Sequence, residues 1–141
     1  MHRFVLYAAE RSHPLNVAGR IERLSQVALS SAEQAETGDV PTVELAAGLQ
    51  SALSYVGPVD SLIMMSPRAA STMMGLARDG THVLDGSVAV AVGPEGGFSV
   101  SEETLLIERG ASAVRLSTGI LRSELAGFAA TLMVRELQAG P

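Results

Sequence analysis

Strand-like and helix-like hydrophobic patterns alternate along the first part of the chain. A short strand is predicted from Arg3 to Ala8, and apolar residues between Val17 and Ala35 then recur at the spacing of an amphipathic helix that ends at Gly38. A second extended piece near Pro41 to Leu45 precedes a weaker helical pattern from Ala46 to Tyr55. Alternating elements of this kind are typical of α/β folds.

The second part of the chain continues the alternation. Strands are predicted at Ser61 to Met65, Val88 to Val92 and Ser112 to Leu116, with a helix from Ala69 to Arg78 after the first of them. The strand at 88–92 is wholly apolar, as parallel strands covered on both faces tend to be. The last helix places five large apolar residues on one face, which we expect to be packed: Leu121, Leu125, Phe128, Leu132 and Leu137.

Length and composition agree with one folded domain over residues 1–141. Apolar residues make up 47% of the 141 residues and charged ones 18%, without a repeat or a linker. The chain has no cysteine, which excludes disulfide scaffolds and thiolate zinc sites. All ten basic residues are arginine, which excludes Schiff-base chemistry and a Walker-type phosphate loop. The three histidines have no metal-ligand spacing, so we expect no metal site.

Charge and hydropathy narrow the class of protein further. The formal net charge of −5 argues against a free-standing nucleic-acid binder, because basic side chains supply most non-specific affinity for phosphate. The longest apolar clusters, such as Val88 to Val92, are far shorter than the roughly 20 residues that span a bilayer. The apolar start at Phe4 to Ala9 is too short for a secretory signal. We therefore expect a cytoplasmic protein with no membrane partner.

A glycine-rich turn follows the apolar strand at 88–92. Gly93-Pro94-Glu95-Gly96-Gly97-Phe98-Ser99 contains three glycines, which allow backbone to approach a ligand closely. Ligands of open α/β sheets bind at the carboxyl ends of strands, where this turn lies. Ser99 and Glu102 then form a capping box for a helix that ends near Gly110. The turn is either a ligand site or only a tight connection, and Glu95 either contacts a ligand or caps the turn.

A second loop follows the strand that ends at Leu116. It runs through Ser117-Thr118-Gly119-Ile120-Leu121-Arg122-Ser123-Glu124 into the last helix. A glutamate in the first turn complements the helix dipole, whereas an arginine there does not. The placement of Arg122 therefore calls for a functional reason, the alternative being a solvated charge.

The two loops together resemble the RsmE family of SPOUT methyltransferases. The motifs are G-P-E-G-G-F-S at 93–99 and, about twenty residues later, I-L-R-S-E at 120–124, with further matches at Glu10 to Ser12, Ala32 to Gln34 and Ser66 to Ala69. The resemblance implies an α/β fold with a mostly parallel sheet flanked by helices and a C-terminal trefoil knot. It also implies a homodimer that uses S-adenosyl-L-methionine to methylate N3 of a uridine in 16S ribosomal RNA.

The resemblance further implies where the cofactor and the substrate bind. Arg122 would stabilise negative charge developing on the base, and Glu124 would orient the base or take part in removing its proton. Arg11 and Arg68 would touch RNA phosphate, or else are ordinary solvated charges. The cofactor would be held by three loops at adjacent strand ends: Met65, Ser66, Gly93, Pro94, Glu95, Gly96, Gly97, Leu116, Ser117, Gly119, Ile120 and Leu121.

The chain departs from the family pattern in ways that leave alternatives open. Members carry a PUA-like RNA-binding domain and an opening strand and helix before the point where this chain begins, so we expect an RNA-binding partner and an uncovered sheet edge. Gly119, Ser123 and Ser66 stand where the family usually has arginine, threonine and histidine. One alternative is a non-catalytic relative that serves as a cofactor-binding or dimerisation module. Another is an unrelated α/β domain that binds a nucleotide or phosphate at the glycine-rich turn.

Overall fold

The computed structural model describes residues 2–12, 18–36, 38–79, 84, 86–116 and 122–139. The chain divides into two compact units, Met1–Gly57 and Pro58–Pro141. Within the described residues, the elements in chain order are β1 (Arg3–Tyr7), α1 (Ala18–Gln34), β2 (Thr42–Ala46), α2 (Leu49–Val56), β3 (Ser61–Met65), α3 (Met73–Arg78), β4 (Val88–Val92), α4 (Val100–Glu108), β5 (Ser112–Val114) and α5 (Ser123–Ala139).

The first unit is built on a parallel pair of strands. β1 and β2 pair in register from Arg3 opposite Thr42 to Tyr7 opposite Ala46, with α1 packed on β2 and α2 on both strands. Its buried side chains are mostly small, which lets the helices approach the strands closely. They are Ala9, Ala32, Ala46, Leu49, Ala52 and Leu53.

The second unit is built around one fully buried strand. β3 lies between β4 and β5, all three are parallel, and every residue of β3 is buried. The strands predicted at Ser61 to Met65 and Val88 to Val92 have the observed bounds, because residues 62–65 and 88–92 are continuous apolar runs. The predicted α/β class with parallel strands flanked by helices is confirmed.

Helix α5 closes the core of the second unit with two small side chains rather than with its large apolar ones. It packs against β4 and α3 through Ala130 and Val134, which are 0% and 7% exposed. Leu125, Phe128 and Leu132, which the sequence predicts to be packed, are 52%, 69% and 49% exposed in the single chain, so what they pack against stays a prediction. The helix is apolar on two faces, and its small alanines allow the closer approach to the sheet. Leu137, which was predicted on the same face, packs on the core, and Leu121 lies outside the described residues.

Helix α4 begins and ends where the local sequence predicts. The Ser99 hydroxyl accepts a hydrogen bond from the Glu102 amide at 3.2 Å, and the Glu102 carboxylate accepts one from the Ser99 amide at 2.8 Å. The predicted capping box is therefore confirmed, and both residues are buried. At the other end the Gly110 amide donates to the Ile107 carbonyl at 2.9 Å, so the helix stops at the predicted glycine.

Two expectations concern the chain as a whole. A trefoil knot would depend on the path of residues 117–121, which lie outside the described residues, so the knot stays a prediction. In the described part of the chain, no helix combines the length and the apolar character needed to cross a bilayer.

The starts of β3 and β4 are joined by a small hydrogen-bond network. The carboxylate of Asp60 accepts from the Ser87 amide at 2.8 Å and from the Ser87 hydroxyl at 2.6 Å. The Ser87 carbonyl in turn accepts from the amides of Asp60 and Ser61. The side-chain amide of Gln138, near the end of α5, donates to the carbonyls of Leu84 and Gly86 at 2.8 Å. The network fixes the end of the sheet at which β3 and β4 begin. The predicted site lies at the opposite end, where the strands finish.

The Asp60 network predicts a pH-dependent contribution to stability. Hydrogen bonds from the Ser87 hydroxyl and amide hold the pKa of Asp60 below its ordinary value of 3.8. Because the pKa is lower in the folded state, this stabilisation is present at neutral pH. It is lost as the pH falls from the ordinary value of 3.8 through the lowered pKa of the folded state. Asp60→Asn should therefore destabilise the chain at neutral pH, and the difference from wild type should shrink in acid. Urea unfolding of both proteins between about pH 7 and pH 3 measures this.

Asp79→Asn is the control, because Asp79 is an exposed aspartate at the end of α3. Its difference from wild type should not follow the Asp60 curve. A difference for Asp60→Asn that stays constant over the whole pH range would contradict the role given to these hydrogen bonds.

Candidate functional site

Three chain segments leave the second unit's sheet at one edge. Met65, the last residue of β3, pairs with Val92 of β4 and with Val114 of β5. Because the strands are parallel, the residues that follow each of them emerge side by side. The structure thus brings together Met65 and Ser66, the turn that begins at Gly93, and Leu116, as the sequence predicted.

The turn after β4 is compact and is made mainly of backbone. The Gly97 amide donates to the Pro94 carbonyl at 2.8 Å, and Gly97 has a φ of 72°, which a residue with a side chain rarely adopts. Phe98 is buried beneath the turn at 5% exposure, whereas Glu95 and Gly96 are exposed. Whether the exposed Glu95 side chain contacts a ligand or caps the turn stays a prediction.

Gly93 is needed by the turn itself. A Cβ on Gly93 would lie 3.1 Å from the Phe98 amide nitrogen and 3.3 Å from the Gly97 carbonyl carbon. By contrast, no heavy atom of the described chain lies within 4 Å of the place where a Cβ on Gly97 would sit, its chain neighbours apart. The turn is therefore closed at Gly93 and open beside Gly97.

The segment after β3 is held on β5 by backbone hydrogen bonds. We call residues 66–72 the β3–α3 loop. The Ser66 amide donates to the Val114 carbonyl at 2.8 Å, and the Arg115 amide donates to the Ser71 carbonyl at 3.0 Å. The Met73 amide then donates to the Arg115 carbonyl at 3.1 Å. Both ends of the loop are thus bound to the same strand.

These bonds explain why α3 is shorter than predicted. The sequence predicted a helix from Ala69, but α3 begins at Met73, with the Thr72 hydroxyl accepting from the Gly75 amide at 2.9 Å. The backbone of the β3–α3 loop pairs with β5 and cannot also form helical hydrogen bonds. Thr72 is a preferred helix-capping residue, and it was the one local signal for the later start.

The third loop is described only at its two ends. Leu116 is buried at 8% exposure where the chain leaves β5. The predicted cofactor residues Ser117, Gly119, Ile120 and Leu121 lie outside the described residues. Of this group, Leu116 alone can be placed at the edge of the sheet.

Arg122 lies directly before α5. Its carbonyl accepts a hydrogen bond from the Ala126 amide at 2.8 Å, so it precedes the first turn of the helix, and it is exposed. The positive end of the helix dipole disfavours a cation at this point by about 0.3–1 kcal/mol. The same end and the guanidinium would together favour an anion. The side chain of Glu124, the other predicted catalytic residue, lies outside the described residues.

The edge can contact a ligand chiefly through backbone groups and apolar side chains. Met65 and Leu116, each 8% exposed, are the apolar side chains at this edge, and the turn at 93–97 supplies backbone amides and carbonyls. Such a surface suits a flat apolar group whose rim carries hydrogen-bonding atoms. Within the described ranges, no three histidine, aspartate or glutamate side chains are grouped in a way that could hold a metal ion.

The amino-acid sequence is similar to known proteins over most of its length. The family described as the RNA methyltransferase domain matches residues 1–135. The chain is 29% identical over 118 residues to the ribosomal RNA small subunit methyltransferase E of Rickettsia conorii, a match that covers 83% of this chain and 47% of the relative. The chain thus spans about half the length of that relative.

The fold of the chain is also similar to that of solved structures. The fold is similar to ribosomal RNA small subunit methyltransferase E from Neisseria gonorrhoeae bound to S-adenosyl methionine, with a TM-score of 0.74 and 29% identity over 94% of this chain and 52% of that one. It is also similar to a Legionella pneumophila protein described as a methyltransferase in complex with SAM, with a TM-score of 0.77, 23% identity, and coverage of 98% and 55%. The second likeness, at its low identity, shows the fold alone.

The packing around Gly93 predicts a stability cost for any side chain there. Gly93→Ala should lower the free energy of unfolding by about 1–3 kcal/mol, because the new methyl group would press on the backbone of Phe98. Gly48→Ala is the matched control, since Gly48 has an extended φ of −173° and no described heavy atom within 4 Å of its Cβ position. It should change the free energy of unfolding by about 0.5 kcal/mol or less. Equal losses in the two variants, measured by urea unfolding, would contradict this reading of the turn.

Proposed function

The chain belongs to the RNA methyltransferase domain family, as the two loop motifs indicated, and on this premise we propose that it binds S-adenosyl-L-methionine and transfers its methyl group to N3 of a uridine in 16S ribosomal RNA. The observation that carries the proposal is the meeting of Met65-Ser66, the turn at 93–97 and Leu116 at one edge of the parallel sheet. Two of the three motif-bearing segments are described at that edge, and the third begins there.

The residues at this edge fit the proposed cofactor. S-adenosyl-L-methionine has a flat adenine, which needs apolar walls, and a ribose and base rim, which need hydrogen bonds. Met65 and Leu116 offer the first, and backbone groups of Gly93, Pro94, Glu95, Gly96 and Gly97 offer the second. Apart from its chain neighbours, no described atom lies within 4 Å of a Cβ position on Gly97, which supports a ligand lying against the turn. Ser66, Ser117, Gly119, Ile120 and Leu121 complete the proposed pocket.

The cofactor, when bound, supplies a methyl group already activated by the sulfonium, so the protein's part is mainly to position the base and exclude water. Uridine N3 carries a proton at neutral pH, and its removal leaves negative charge on the base. Arg122 and the N-terminal end of α5 would both stabilise that charge. Glu124, two residues further along, would orient the base or take part in removing the proton.

The proposed substrate calls for additional basic surface. The chain has a net charge of −5, and phosphate contacts supply most non-specific affinity for nucleic acids. Arg68, exposed in the β3–α3 loop, and Arg122 would touch RNA near the base. We propose that further affinity comes from an RNA-binding domain outside these residues, and that the protein works in the cytoplasm.

The proposal predicts that cofactor binding and methyl transfer respond differently to one substitution. Arg122→Ala should leave the dissociation constant for S-adenosylhomocysteine within about twofold of wild type, because the guanidinium faces the base rather than the cofactor. It should lower the rate of methyl transfer by about 100-fold or more, the usual loss for one charge-stabilising group. Calorimetry measures the first quantity, and transfer of a labelled methyl group to unmethylated 16S ribosomal RNA measures the second.

Arg109→Ala is the matched control, because Arg109 is an exposed arginine at the end of α4. Both quantities should match wild type in that variant. Transfer at an unaltered rate by Arg122→Ala would refute the role of Arg122. A folded chain that does not bind S-adenosylhomocysteine would refute the proposed function. Binding without transfer to RNA, by a wild-type protein that includes the proposed RNA-binding domain, would favour the non-catalytic module.

We further propose that the chain forms a homodimer through α5. Leu125, Phe128 and Leu132 recur at intervals of three and four residues and so form one exposed apolar stripe on this helix. Contiguous exposed apolar surface of this kind marks interaction sites. A second copy of the chain is the partner that the family resemblance implies.

The dimer proposal predicts that one charge on the stripe dissociates the protein. Phe128→Glu should convert the dimer to a folded monomer, because the carboxylate would be buried without a partner at the interface. Val27→Glu, at a 52% exposed position of α1, should leave the dimer intact. Sedimentation velocity measures both. A wild-type monomer, or a dimer unchanged by Phe128→Glu, would contradict the proposal.

A further inference from the structure

Arg115 makes a side-chain contact that neither loop motif includes. It is the residue after β5, and its guanidinium Nε donates a hydrogen bond to the Ala69 carbonyl at 3.1 Å. Ala69 lies in the middle of the β3–α3 loop, 46 residues away along the chain. The side chain is half-buried, so it is packed against the loop rather than extended into solvent.

This contact holds the one part of the loop that the backbone of β5 does not reach. The amides and carbonyls that bind β5 belong to Ser66, Ser71 and Met73, at the two ends of the loop. Between them the Ala69 amide donates to the Ser66 carbonyl at 3.1 Å, and the Ala69 carbonyl accepts from Arg115. Both backbone polar groups of Ala69, its amide and its carbonyl, are thus hydrogen-bonded.

An ordered loop matters most where a ligand binds. Fixing each flexible residue costs conformational entropy, and a loop that becomes ordered only on binding subtracts that cost from the affinity. Ser66 opens this loop at the edge where the proposed cofactor pocket lies. Its position depends on how the rest of the loop is held.

We propose that Arg115 is a positioning residue for the cofactor pocket, which it serves by fixing the β3–α3 loop through the Ala69 carbonyl. This inference rests on the proposed function. Arg115 acts through the loop and does not touch the cofactor. The group that matters is the Nε–H donor, not the positive charge.

Two substitutions separate the donor from the charge. The side-chain nitrogen of glutamine lies the same number of bonds from the backbone as Nε of arginine, and it is also planar and carries N–H. Methionine places a methyl group at that position. Arg115→Gln therefore keeps a donor without the charge, whereas Arg115→Met removes both. Every backbone hydrogen bond between β5 and the loop remains available in either variant.

The experiment measures binding of S-adenosylhomocysteine by calorimetry, together with hydrogen exchange of the backbone amides of residues 66–73, in the whole chain. Arg115→Met should raise the dissociation constant up to about tenfold, as expected for the loss of one hydrogen bond, and should speed exchange in the loop. Arg115→Gln should restore both to within about threefold of wild type. Arg109→Gln, at the exposed end of α4, should change neither.

A general loss of stability would lower the melting temperature, but it would not change the dissociation constant measured at temperatures far below melting. The binding measurement therefore distinguishes positioning from a merely structural role. Unchanged binding and exchange in Arg115→Met would overturn the proposal. Arg115→Gln as weak as Arg115→Met would also overturn it, because the charge would then be what matters. If wild type does not bind, the proposed function fails and the cofactor part of this inference with it, while hydrogen exchange still decides whether Arg115 fixes the loop.

Discussion

The second unit depends on the complete burial of β3. A strand whose two faces are covered must also be hydrogen-bonded to a neighbouring strand on each side, because an unpaired backbone group away from water is costly. β3 meets this constraint by pairing with β4 on one side and β5 on the other. Pairing in register brings the ends of all three strands to one line, level with Met65. The position of the candidate site therefore follows from the packing of the core.

The same constraint decides what kind of chemistry the edge can carry. The strands supply only apolar side chains near the edge, so hydrogen-bonding groups must come from the loops, mainly as backbone amides and carbonyls. A cofactor that brings its own reactive group suits such a surface, since the protein then needs to position rather than to activate. Arg122, at the start of α5, is the charged side chain that the proposed reaction requires. Its position at the helix end is unfavourable for stability, as functional positions often are.

Sequence reasoning succeeded where the determining interactions are local. The strand at 88–92 is an uninterrupted apolar run, the strand at 61–65 is apolar after Ser61, and the capping box of Ser99 and Glu102 spans one helical turn. It failed where the partner is distant in sequence. The pairing of the β3–α3 loop with Arg115 delays the start of α3 to Met73, and the capping residue Thr72 is the one local signal for that start.

The face of α5 and the contents of the site illustrate the same limit. Periodicity correctly identified an apolar helix, but α5 is apolar on two sides, and only tertiary packing decides which side is covered. For the site, the glycine-rich turn was predicted from composition and its place after a strand. Arg115 was missed because a single arginine at a strand end carries no signal of its own. The roles of the predicted cofactor and catalytic residues stay predictions.

The attachment of the β3–α3 loop to β5 also has a kinetic meaning. Both ends of the loop and its centre are bonded to residues 114 and 115, so the loop cannot lift from β5 one residue at a time without leaving several polar groups unpaired. Local openings of this kind occur as cooperative units rather than by gradual fraying. The loop and the strand end are therefore expected to open and close together, as one cooperative unit.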